Sequence, residues 1–384
     1  MRHPHLLERK DCTVVHDELE RFVTADGLRS IAVGTGLWGA LPEALHACSF
    51  PRKLIVVSDR TVAARYFVPL KGVLEGAGFD VVAAFVPEGE HRKQLTSAEE
   101  LSSLLLEGAI GPGSGLLALG GGCVGDLAGF TAGMYLGGLP YVQIPTTLCA
   151  QVENLAQRRP ALNHPQQMNL LAVNHPPMFV WNDLQNLKSL PRRERFSGLC
   201  ALIANAAGCH ASLFEFAEKT VNDLIRFDPG SVAEAVRQAA SMTVREPGEY
   251  GLQPDAMARP GETIGNALQL ATRFRSIRYG EARLLGLLAE SRLATETGTL
   301  AKVEYERIVR IAGAIPLKLS VEKLKPWDVL RALKYDSKAM VRSGGISLLR
   351  RIGEGSAATE IDDGRLTEAC RWTLEWAARA SSTS

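Results

Sequence analysis

At 384 residues, 46% hydrophobic and 22% charged, the chain is long enough for two cores and has the make-up of an ordinary globular protein. A formal net charge of +1, with no long run of one sign, gives no electrostatic case for nucleic acid or an anionic membrane as partner. Gly and charged residues interrupt every apolar stretch before it reaches membrane-spanning length, and the opening MRHPHLLERKDC lacks the apolar core of a signal peptide. Cys12, Cys48, Cys123, Cys149, Cys200, Cys209 and Cys370 show no CxxC spacing, so free thiols in a reducing cytoplasm are expected.

In chain order, Ser30–Val33 and Lys53–Val57 are predicted strands, the second ending at Ser58-Asp59. Val62–Gly76 is a predicted helix, Asp80–Val86 a strand, and Ser97–Glu107 a helix with leucines at 101, 104 and 105. Gly115–Leu119 and Tyr141–Ile144 are further strands. Strands alternating with helices imply a parallel sheet covered on both faces. After Leu187 the β-branched runs thin out, and Pro191–Ala207, Ser231–Val244, Gly261–Phe274, Glu281–Thr297 and Lys302–Ala312 fit helical periods. The small-residue tail Ala378–Ser384 is expected to fray. The expected plan is an N-terminal extension (1–25), a Rossmann-like α/β domain (26–185) and a mostly helical domain (186–384).

The strongest local signal is LLALGGGCVGDLAGFTAGMYLGG, read as strand, three glycines at 120–122, then helix. Glycines let the backbone turn sharply and approach a ligand with no Cβ in the way. The following helix offers unpaired N–H groups and a positive dipole end, which suits a pyrophosphate. The spacing is not GxGxxG, and a tight structural turn reads the same way. Asp59, at a strand end, is placed to accept from ribose hydroxyls or to cap the next helix. Thr146 and Thr147, in PTTLCAQ, likewise bond a ligand or cap a helix.

The run PEGEHRK, GGGCVGDLAGF, PYVQIPTTLCAQVE and NHP, then PGETIGNALQ and YGEA, resembles dehydroquinate synthase and its relatives, the sugar phosphate cyclases, including 2-deoxy-scyllo-inosose synthase. The resemblance runs from about residue 30 to Gly353 and is most specific from Gly120 to Gln151. It implies an NAD-binding N-terminal domain, a helical domain carrying zinc or cobalt, and a sugar phosphate in the cleft between them. The family reaction uses bound NAD transiently, eliminates phosphate and closes a carbocycle, with the metal polarising substrate oxygens. It also implies a homodimer, with a heteromer with an active paralogue as the alternative.

Residue by residue, the resemblance assigns Asp59 to the ribose, Glu90 and Lys93 to the adenosine side, Gly121, Gly122 and Asp126 to the pyrophosphate turn, and Thr146 and Thr147 to the cofactor wall. Asn169 and Lys338 match polar residues of the substrate cleft, as do Glu153, in place of an aspartate, and Arg159, in place of a lysine. The metal half does not match. The glutamate ligand position holds Ala201, and the two histidine ligand positions hold Glu262 and Tyr279. Ala204 and Met168 stand where the family has lysines, Asn266 where it has a histidine, and Gly137 where it has an arginine.

All eight histidines lie in the first 210 residues, so a metal site on the helical half would have to use oxygen ligands such as Glu249, Asp255, Glu262 and Glu281. Zinc prefers nitrogen and sulfur. The residues therefore admit a catalytically silent homologue that keeps NAD, an active but divergent cyclase, and an alcohol dehydrogenase-like enzyme of the same two-domain plan.

Overall fold

Residues 19–23, 30–153, 159–245, 260–334 and 345–382 are described in a computed structural model of the chain. The strands are β1 (Leu19–Val23), β2 (Ser30–Gly34), β3 (Lys53–Asp59), β4 (Asp80–Val86), β5 (Gly115–Gly120), β6 (Tyr141–Pro145), β7 (Ala161–His164), β8 (Gln167–Ala172) and β9 (Val180–Asp183). Seven of them form one sheet in the order β1-β2-β9-β6-β5-β3-β4, antiparallel at β1–β2 and parallel elsewhere, while β7 and β8 pair separately.

The helices explain the unbroken apolar runs. Every residue of β5 is buried, because both faces are covered. Leu117 and Leu119 pack with α1 (Leu41–Ala47) and α2 (Arg60–Gly76) on one side. Leu116 and Ala118 pack with α3 (Leu95–Glu107) and α4 (Gly122–Met134) on the other.

Short α5 (Leu148–Glu153) leads into a helical half of α6 (Arg192–Cys209), α7 (Ala211–Lys219), α8 (Val221–Arg226), α9 (Pro229–Arg245), α10 (Glu262–Ala271), α11 (Tyr279–Glu296), α12 (Lys302–Ala314), α13 (Pro326–Leu333) and α14 (Asp363–Ser382). Helices α6 and α11 are buried on nearly every side and form its centre. Glycines let the backbones meet. A Cβ at Gly280 would lie 1.8 Å from Ser197 O, and one at Gly286 2.3 Å from Gly261 O.

Helix α2 starts at Arg60 rather than Val62 because Asp59 caps it. Helix α10 stops at Ala271 because Arg273 and Phe274 turn left-handed. A hairpin of β10 (Gly345–Arg351) and β11 (Glu354–Glu360) interrupts the helical half. The tail corrects one expectation: α14 runs to Ser382, and Ser381 Oγ accepts the Leu319 N–H at 2.9 Å, so the C-terminal turn is tied down rather than frayed. The cysteines correct another. Cys123, Cys149, Cys200, Cys209 and Cys370 are free thiols, but Cys48 is disulfide-bonded. Pairing follows distance in space, which sequence spacing does not report. No helix among the described residues is long and apolar enough to cross a membrane.

Candidate functional site

The sheet reverses its winding between β3 and β5. From there β4 lies outward on one side and β6 on the other, and α2 and α4 leave on opposite faces. Open α/β sheets bind ligands in the crevice at such a point. The register Ser58↔Leu119 brings Asp59 and the glycine turn side by side there.

Gly121 is the N-cap of α4 and supplies no side-chain cap, so the first amides of α4 remain available to an anion. A Cβ at Gly120 would meet Val124 Cβ at 2.6 Å, so only glycine allows this tight turn. The Thr146 N–H donates to Gly120 O at 3.0 Å. Beside that bond, the Thr146 hydroxyl is buried with no hydrogen-bond partner. Thr147 takes the capping role: its Oγ1 accepts the Ala150 N–H at 3.1 Å at the start of α5. Asp59 also caps, accepting the Val62 N–H at 2.8 Å, and burial raises its carboxyl pKa. Next to it a groove of about 390 Å³ is lined by Arg60, Phe85, Val86, Pro87, Glu88 and Arg92.

Behind the turn lies a buried polar cluster. Lys93 Nζ reaches Asp126 Oδ2 at 2.8 Å, Glu90 Oε1 at 2.9 Å and Asn169 Oδ1 at 2.7 Å. Asn163 Nδ2 donates to Glu90 Oε1 at 2.7 Å, and its Oδ1 accepts the Asn169 N–H at 2.9 Å. Cys123 Sγ donates to Glu90 Oε2 at 2.8 Å. Burial works against the ammonium of Lys93, but Asp126 and Glu90 outweigh it and raise its pKa. Burial likewise opposes charge on Glu90, and there Lys93 prevails and lowers the pKa. At Asp126 burial prevails over Lys93 and raises it. Asn169 has φ 53°, a left-handed conformation that asparagine tolerates.

Helix α5 joins this half to the other. At one end Thr147 lies against Gly121; at the other, Glu153 is buried and ion-paired with Arg283 of α11, Oε1 to Nε 3.4 Å. Six helical residues span about 9 Å. Ala201 and Ala204 are fully buried on α6 and carry no ligand atom. Glu262 opens α10 after Gly261, whose φ of 83° and close approach to Arg283 O both demand glycine. Tyr279 opens α11, and burial, reinforced by Glu153, pushes its phenol well up. Burial and Glu153 push the Cys149 thiol up in the same way. Glu281 instead forms a two-toothed ion pair with Arg193, at 2.8 and 2.9 Å.

Thus Asp59, Gly121, Gly122, Thr146 and Thr147 gather at the switch point, and Glu90, Lys93, Asp126 and Asn169 form the cluster behind it. Glu90 and Lys93 bond inward to that cluster. Arg159 is exposed, Gly137 sits in an exposed turn at φ 82°, Met168 is buried in β8 and Asn266 is half-buried on α10. Lys338, Glu249 and Asp255 lie outside the described residues. Sequence reasoning missed Arg283 and Asn163. A signal for the first existed: apart from Glu281, Arg283 is the one charged residue in GEARLLGLLA.

The 3-dehydroquinate synthase N-terminal family matches residues 83–197, and its C-terminal counterpart matches 198–339. The 3-dehydroquinate synthase of Symbiobacterium thermophilum is 34% identical over 353 residues, 90% of this chain and 96% of that protein. That of Desulforamulus reducens is 32% identical over 308 residues, 79% of this chain and 85% of that one. The chain belongs to the 3-dehydroquinate synthase family. Within the wider group of sugar phosphate cyclases, two solved structures share its fold. A 2-epi-5-epi-valiolone synthase from Streptomyces hygroscopicus, with NAD+ and Zn2+ bound, has TM-score 0.80 at 22% identity, covering 94% of this chain and 99% of that one. A 2-deoxy-scyllo-inosose synthase with carbaglucose-6-phosphate, NAD+ and Co2+ has TM-score 0.80 at 22% identity, covering 92% and 99%.

The residues present treat these two groups differently. A dinucleotide fits: the turn's close contacts leave no room for a Cβ, the α4 amides are uncapped, and the orphaned Thr146 hydroxyl stands beside them. Zinc does not fit Ala201, Glu262 and Tyr279, the positions that the resemblance assigns to metal ligands. They offer an alanine, a single carboxylate and a phenol held in its neutral form, beside a buried guanidinium. Among the described residues no three His, Cys, Asp or Glu side chains group as metal ligands.

Proposed function

We propose that this chain is a sugar phosphate cyclase homologue that binds NAD at the glycine turn and has lost the family's metal-dependent ring closure. The carrying observation is the Glu153–Arg283 ion pair. It sets a cation close to Tyr279 and Glu262, the positions the resemblance assigns to metal ligands. NAD supplies hydride acceptance to enzymes that bind it. Here the α4 amides would meet its pyrophosphate, Asp59 its ribose, and the groove at Arg60 and Glu88 its adenosine.

Calorimetry with NAD and a phosphate-release assay with a seven-carbon sugar phosphate, each with and without zinc or cobalt, test this reading. The expected result is NAD binding with no metal-dependent phosphate release. Gly121→Val, whose side chain would grow into Thr147, is expected to weaken NAD binding at least about tenfold, about 1.4 kcal/mol. Failure to bind NAD sinks the cofactor half of the proposal, and metal-dependent release sinks the other half.

A second reading, an active cyclase with changed chemistry, draws on one observation. Lys93 and Asn169 still bond at 2.7 Å beside the turn, keeping a polar group of the substrate side in register with the cofactor side. Phosphate release without added metal would favour it.

A further inference from the structure

Arg283 heads the largest fully buried side chains. In sequence Leu284, Leu285, Leu287 and Leu288 surround it. A guanidinium taken out of water in such a core carries a penalty that only anions and acceptors offset. One anion and one carbonyl are there. Glu153 Oε1 stands 3.4 Å from its Nε, with the two side chains 6% and 1% exposed, and Nη1 donates to Pro260 O at 3.4 Å. Glu290 also feels its charge, and it accepts the Gly261 and Ile264 N–H groups at the start of α10. One cation thereby binds α5, the segment entering α10, and α11 together.

We infer that Arg283 is the resident cation of this core: it neutralises the buried Glu153, so the helical half holds its shape with no metal. This deepens the proposed function and rests on its metal-free half. Two solved structures sharing the fold hold Zn2+ or Co2+. Here the positive charge is covalent, cannot be chelated away and has no vacant coordination position. A guanidinium also suits this burial better than an ammonium would, because it is more weakly hydrated and stays charged.

Thermal melting of the full chain tests the inference through four proteins. The parent is expected to melt at the same temperature with and without EDTA. Arg283→Met, similar in length and uncharged, is expected to melt at least about 5 °C lower, because Glu153 stays buried without that guanidinium. The double variant Arg283→Met with Glu153→Gln removes both charges and is expected to recover most of that loss. Arg283→Lys keeps the charge and should fall between Arg283→Met and the parent. If Arg283→Met does not fold, soluble expression of the double variant supports the inference just as well.

Three results would overturn it. They are a parent that melts lower in EDTA, an Arg283→Met that melts like the parent, and a loss that Glu153→Gln does not relieve. The last would mark Arg283 as packing alone. Phosphate release with added zinc bears on the proposed function only, so the two can fail separately.

Discussion

Glu290 shows how one buried group sets a pH dependence. Burial is the main cause of its shift, pushing the carboxyl from 4.5 up to about 8 against two backbone hydrogen bonds and Arg283. Between those values the folded chain holds a proton that the unfolded chain releases. Stability from this group is therefore full below about pH 4.5 and is lost as pH rises towards 8, at no more than about 1.4 kcal/mol per pH unit. Glu290→Gln is expected to flatten that slope, read as urea stability at pH 5.5, 6.5 and 7.5, at a constant cost for the lost acceptor. An unchanged slope would mean that another group carries it. Arg283 stands out in sequence as a charge among leucines, but its pairing with Glu153 and its reach to Glu290 were not legible. Only the convergence of α5, α10 and α11 makes them neighbours. Asp59 and Thr147 were legible as either cap or ligand, and each does cap, with its carboxylate or hydroxyl still at the turn.

Among elements, β3, β5 and β6 could be read because parallel strands buried on both faces leave continuous apolar runs. Strand β9 and helix α5 could not, being four and six residues long, too short to show a period. The hairpin β10–β11 was missed because GISLLRR alternates no more clearly than a helix turn would. The junctions among α6, α10 and α11 rest on backbone contact, which composition does not show. Gly286→Ala places a Cβ 2.3 Å from a carbonyl oxygen and is expected to cost about 3 kcal/mol or more, measured by urea unfolding. A cost under about 0.5 kcal/mol would mean that the helices part freely.

Across the whole molecule one apolar cluster crosses from the helical half into the sheet. It takes in Ile31 and Val33 of β2, Val180 of β9, and Leu148 and Val152 of α5, together with the centres of α6 and α11. Leu148 packs against Gly198, where a Cβ would lie 2.6 Å away. Leu148→Ala is expected to lower stability by about 2–5 kcal/mol and to shift far-ultraviolet dichroism and tryptophan fluorescence together. Separated transitions would show that the halves unfold independently. The cofactor half was legible at this scale because a glycine turn must keep its sequence to keep its shape. The facing half was legible only as side chains that differ from those the resemblance assigns there, and the Glu153–Arg283 pairing needs the fold to be seen.

The backbone contacts at Gly261, Gly280 and Gly286 involve no ligand atom, so they stand whichever side chains occupy 201, 262 and 279. A protein engineer would inherit that frame unaltered. Grafting Ala201→Glu, Glu262→His and Tyr279→His, with Arg283→Val to remove the guanidinium, changes side chains and leaves those glycine contacts in place.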